Sequence, residues 1–161
     1  MKNHFLVVKF IFIVLLLGLA SCKQNNFSEI SEFYDLGNEG MISKMEYEFQ
    51  PFKEIPYVSV GSAYELKLTI RFLDRFNQKE LPIVAEWYDT ERGNFEKDTV
   101  SINLFSNQFN KAGKGNFGFY EIIYPLTKIK NPDENFVISV MTPETNTKGL
   151  ISLGVICDKI N

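Results

Sequence analysis

Histidine and cysteine are scarce in this chain of 161 residues: His4 is the one histidine, and Cys22 and Cys157 are the two cysteines. His4 lies in an N-terminal segment that reads as an export signal, so removal of that segment leaves a chain with no histidine. Serine or cysteine hydrolysis uses a neighbouring base, most often histidine, to take the nucleophile's proton. A structural or catalytic zinc site draws on histidine and cysteine clusters. Neither inventory is present, and no serine–lysine spacing stands in for it. No basic run occurs after the signal, which speaks against nucleic acid as a partner. Two carboxylates suffice for glycoside cleavage, so the composition leaves that chemistry open. Its candidates are Glu86, Asp89 and Glu91, with Asp133 and Glu134, and their settings read as solvated surface charge.

Long apolar runs are also lacking, with one exception. Phe10 to Ala20 carries no charge over eleven residues, where a membrane-spanning helix needs about 20. Lys2 and Lys9 precede or flank it and small residues follow, the order of a secretory signal. The run is apolar on every face, unlike an amphipathic core helix. It ends in Leu19-Ala20-Ser21-Cys22, which resembles the lipobox of bacterial lipoproteins. That resemblance implies cleavage before Cys22, a diacylglycerol thioether on its sulfur, and an acyl chain on the new amino terminus. Each buried methylene contributes about 0.8 kcal/mol, so two or three chains anchor stably where one does not. The next residues, Lys23-Gln24-Asn25-Asn26, carry no carboxylate. They differ from acidic surface-export tags and from the aspartate of inner-membrane retention, so the expected location is the outer membrane, facing the periplasm.

Loss of residues 1–21 leaves 140 of the 161, one domain's length. Lys2 and Lys9 leave with them, which moves the formal charge from −3 to −5. With Cys22 lipidated, Cys157 is a lone thiol and no intramolecular disulfide forms. It lies in the apolar run "LISLGVICDKI", as a packed thiol would.

Alternation sets the expected architecture. In "SAYELKLTIRFLD" the residues Tyr64, Leu66, Leu68, Ile70 and Phe72 fall on one side and Glu65, Lys67, Thr69 and Arg71 on the other. "SKMEYEFQPF" repeats this with Met45, Tyr47 and Phe49 until Pro51. "PIVAEWYD" and "KDTVSINLF" read as a hairpin turning at Gly93-Asn94, with Val100, Ile102 and Leu104 inward. Further strands are expected over 117–124, 135–142 and 148–160, separated by Pro132-Asp133 and the polar run 142–147. Residues 26–36 are open to a short helix. About seven strands predict an all-β protein, an antiparallel two-sheet β-sandwich of jelly-roll or immunoglobulin-like connection. The expected domain plan is a signal peptide at 1–21, the lipidated cysteine with its tether at 22–42, and the sandwich at 43–161.

"GKGNFG", 113–118, matches a dinucleotide fingerprint letter for letter. It leads into β-like "FYEIIYP" where the fingerprint needs a helix, so a flexible loop over 106–116 is the reading. Oxygen ligands for calcium around one turn would be Asp89, Glu91, Asn94 and Asp98, without EF-hand spacing. No metal or other cofactor is expected. Aromatic residues make up 14% of the chain, and Trp87, Tyr88, Phe95, Phe109, Phe117, Phe119 and Tyr120 gather near two loops. Phe109, Phe117 and Phe119, around the glycine loop, are the candidate interaction surface.

Several stretches together resemble the GldH-type gliding-motility lipoproteins of Bacteroidota. "EFYDLGNEGM" is similar to that family's tyrosine-containing lead, with Met41 where a tryptophan is expected, and "YELKLTIR" to its first long strand. "FEKDTVSINL" carries the lysine-aspartate-threonine element in Lys97, Asp98 and Thr99, and "LISLGVICDKI" resembles the closing strand. "DRFNQKELPIV" departs from the pattern, with Glu80 in place of an asparagine. The resemblance implies a non-enzymatic envelope component serving gliding and type IX secretion, with protein partners and no catalytic residues. The alternative is a lipoprotein module that binds glycans or peptides.

Overall fold

The computed structural model describes residues 29–55, 61–89, 93–105, 113–116, 118–145 and 147–160, with backbone alone at 89, 114 and 116. Nine strands run through them: β1 (Glu29–Asp35), β2 (Tyr47–Phe49), β3 (Ala63–Leu73), β4 (Glu80–Asp89), β5 (Asn94–Asn103), β6 (Lys114–Asn116), β7 (Phe119–Lys130), β8 (Ile138–Met141) and β9 (Leu150–Ile160). They form two antiparallel sheets, β1-β9-β3-β7-β6 and β2-β8-β4-β5.

The alternation in β3 explains the first sheet. Tyr64, Leu66, Leu68, Ile70 and Phe72 are all buried, and they meet Leu153, Val155 and Cys157 of β9 on the same face. The second sheet answers with Leu81, Ile83, Ala85 and Trp87 of β4, Val100 and Ile102 of β5, and Ile138 and Val140 of β8. These side chains make one continuous core between the sheets. Ladder pairs β1/β9, β2/β8 and β3/β7 nest outward from the β4–β5 hairpin. The chain is thus one folded-over ribbon rolled across two sheets, which is a jelly roll. This settles the choice of connection that alternation left open. Pro125 is accommodated in β7 where the register against β3 shifts between Leu66 and Lys67, an irregularity that spares the missing N–H.

Four expectations are corrected. Residues 29–35 form β1, not part of a helix, because their pairing with β9 outweighs the local preference. Residues 29–35, expected as part of a tether over 22–42, therefore belong to the sandwich expected to begin at 43. Met45 is 46% exposed, outside the three-residue β2, because the chain turns at Ser43-Lys44 before pairing begins. Part of the loop expected over 106–116 is strand β6, paired to β7 through Lys114↔Glu121 and Asn116↔Phe119.

The two ends of the sandwich differ. At one end Phe52 packs edge-on against Tyr64 and Phe136, at 5.0 and 5.7 Å between ring centres, and plugs the core. By register, the start of β1 and the turn of the β4–β5 hairpin belong to this end. At the other end the β1–β2 connection is clasped to the β8–β9 connection. The buried Thr147 hydroxyl donates to the Met41 carbonyl at 2.6 Å, and the Lys44 N–H donates to the Thr142 carbonyl at 2.8 Å.

Candidate functional site

β1 and β2 are the edge strands on the same side of the sandwich, each terminal in its sheet. Ile30, Glu32 and Tyr34 of β1 share the face of Cys157, Val155 and Leu153, so they point between the sheets. Two of them tie the edges together. The Tyr34 hydroxyl donates to the Glu48 carbonyl at 2.9 Å, and its ring packs edge-on against Tyr47 and Phe49. The Glu32 carboxylate accepts the Gln50 N–H at 2.6 Å. Toward the start of β1 the edges part and leave an open groove of about 920 Å³.

Ile30, Pro51 and Ile55 supply the apolar part of its wall. Glu29, Glu32, Glu48 and Glu54 also line it, against Lys53 as the one cation among the described lining residues. Such a groove favours a ligand that is extended, partly apolar and positively charged. The backbone of β1 adds to this. Leu36 N–H bonds to the Ile151 carbonyl at 3.0 Å, opposite in the continued register. Alternate residues Tyr34, Glu32 and Ile30 therefore bond to β9, while Phe33, Ser31 and Glu29 aim N–H and C=O groups at the outer edge, which no other strand among the described residues covers.

β1 is seated by its outer face as well. Phe33, Gly154, Thr69 and Ile123 form one row across β1, β9, β3 and β7. The Phe33 ring lies directly over Gly154, where a Cβ would collide with it. Arg71 caps the ring at 4.8 Å and is itself held by Glu121 at 2.7 Å. Lys67 bonds both Glu65 (2.8 Å) and Asp158 (2.6 Å), and these two hydrogen bonds raise its pKa.

The residues expected from sequence fall elsewhere. Cys22, Phe109 and Phe117 lie outside the described residues. Phe119 opens β7 and is half-buried. Among the described residues the most exposed aromatic pair is Tyr88 with Phe95, Phe95 being 67% exposed, at 5.3 Å and 66° on the β4–β5 hairpin. That edge-on pair offers no flat platform for stacking a sugar ring. Glu86 faces Lys97 across the hairpin at 3.7 Å, and the Asp133 carboxylate accepts the Asn135 N–H within its turn at 2.9 Å. Asn94 and Asp98 stand four residues apart along β5, about 13 Å, and do not converge. Glu91 and the Asp89 side chain lie outside the described residues. Among the described residues no cluster of three carboxylate, cysteine or histidine groups gathers to hold a metal. The glycines of "GKGNFG" serve the β6–β7 hairpin: Gly113 (φ 87°) abuts the Glu121 carbonyl, and Gly118 (φ 86°) sits in the turn. Cys157 is fully buried, and burial, with a smaller contribution from Asp158, pushes its thiol up to about 12.

The groove went unread in the sequence because "EISEFYD" carries Glu32 inward and Phe33 outward, the reverse of the usual code. Its signal was the acidic spacing of Glu29, Glu32, Glu48 and Glu54, which has meaning only once β1 and β2 are brought together. The chain matches no protein-family model and no curated protein.

Proposed function

We propose that this chain is a non-enzymatic, lipid-anchored envelope protein of the GldH type, facing the periplasm from the outer membrane, that docks partner proteins of the gliding and type IX secretion machinery. The observation that carries the reading is the sequence Leu19-Ala20-Ser21-Cys22 placed seven residues before the first strand. From Cys22 to Glu29 the chain reaches at most about 25 Å. A lipid on Cys22 therefore keeps the sandwich close to the bilayer, with the groove beside the point of attachment. The stretches shared in pattern with the GldH-type lipoproteins support the machinery role, and the groove supports a docking role in place of catalysis.

Cys22→Ala is expected to move the protein from the membrane fraction to the soluble fraction. Retention on membranes after a high-salt wash would contradict the lipid anchor. A second reading, a lipoprotein module for peptides or glycans in general, is favoured on its peptide side by the same groove. A normal gliding and secretion phenotype on deletion, together with peptide capture in the groove, would select it.

A further inference from the structure

We infer that the β1–β2 groove captures an extended cationic polypeptide segment, which adds antiparallel to the free edge of β1 as a further strand of the five-stranded sheet. This deepens the docking role proposed above and rests on it. Three observations converge on one occupant. The free edge supplies N–H and C=O groups of Ser31 and Phe33 in register for a strand, the groove beside them is walled by Ile30, Pro51 and Ile55, and four glutamates stand there against Lys53. Strand addition draws affinity from main-chain hydrogen bonds and specificity from alternate side-chain positions.

The geometry fixes which side chains of the guest go where. Directly opposed residues of an antiparallel pair point to the same face. Guest residues opposite Ser31 and Phe33 therefore point outward, over the face that carries Phe33 and Ile156, and turn their N–H groups toward β1. The intervening guest residues point inward, on the side of Ile30 and Glu32 and into the groove that Glu54 also lines, and turn their N–H groups away. The fitting sequence alternates lysine or arginine inward with apolar residues outward. A second copy of this chain fits poorly, since it brings its own glutamates to the same edge.

The probe is a fluorescent ten-residue peptide alternating lysine and valine, titrated by anisotropy into the full lipidated chain in neutral detergent. Expected is saturable binding that weakens as salt rises, with none for the glutamate–valine counterpart. Methylating the valine amides removes binding, whereas methylating the lysine amides spares it. Ser31→Pro, at an edge N–H that a folded sandwich does not need, abolishes binding with the circular dichroism and melting temperature kept. Glu54→Lys with Glu32→Gln, which keeps an acceptor for the Gln50 N–H, weakens it by about tenfold or more. Absence of binding at low salt, equal binding of both methylated peptides, or full binding by Ser31→Pro would overturn the inference. So would a dimer joined through β1, or residues 56–60 of the chain itself found paired to that edge. None of these results depends on the anchor or on secretion, which Cys22→Ala and deletion test separately.

Discussion

Cys157 and Gly154 lie three residues apart on β9 and face opposite ways, and each makes a different demand on its surroundings. Cys157 is held neutral by burial, its thiol raised from 9.0 to about 12. An unfolded chain releases that proton first, so stability is fully present below pH 9 and falls as pH rises toward 12. Lys67, whose pKa is raised by Asp158 and Glu65, and Tyr64, raised by burial, act in the same direction. The denaturation midpoint is expected to drop on going from pH 8 to pH 10.5, and the thiol to react with a disulfide reagent at pH 8 only after unfolding. Rapid labelling of the folded protein would contradict its burial. Gly154 instead gives room to the Phe33 ring. Gly154→Ala is expected to destabilise by about 1–3 kcal/mol. Much less is expected when Phe33→Ala is already present, because the two sites share one contact. A double-mutant cycle in urea measures the coupling, and strict additivity would contradict the geometry.

The strands with clean alternation were legible from the residues alone. β3, β4, β5 and β9 each present an apolar face that the opposite sheet covers, and their positions follow from Tyr64 to Phe72, Leu81 to Trp87 and Val100 to Ile102. β1 and β6 were not. β1 places a carboxylate inward and a phenylalanine outward, and only its neighbours Gln50, Gly154 and Arg71 make sense of either. β6 is three residues with two flanking glycine turns, stabilised by β7 and not by its own composition. The connections show the same dependence on distant partners. Thr147 reads as part of a polar loop, yet its hydroxyl is buried on the Met41 carbonyl 106 positions away. Thr147→Val leaves that carbonyl unpaired and is expected to lower stability by about 1–3 kcal/mol. Chemical denaturation checks this, and an unchanged midpoint would mean the clasp contributes nothing.

Taken as one body, the sandwich is a jelly roll with one core, whose open side lies beside the start of β1. A jelly roll hosts many functions, so the fold does not choose among them. The choice rests on where the features lie. The lipobox-like cysteine precedes β1 by seven residues, β1 lines the acidic groove, and its outer edge pairs with no other described strand, which is where the proposed guest segment would add. On the proposed function, the anchor at Cys22 and the docking edge of β1 lie within seven residues of each other in the sequence. The lipobox resemblance could be seen in the sequence because it is a local pattern. The sequence could not supply the groove, whose glutamates come from segments some twenty residues apart.

The most direct test is a clean deletion of the gene, scored together for colony spreading and for the proteins released into the medium. The anchored docking role predicts loss of both, restored by the wild-type gene and not by Ser31→Pro. Normal spreading and an unchanged set of released proteins would contradict it.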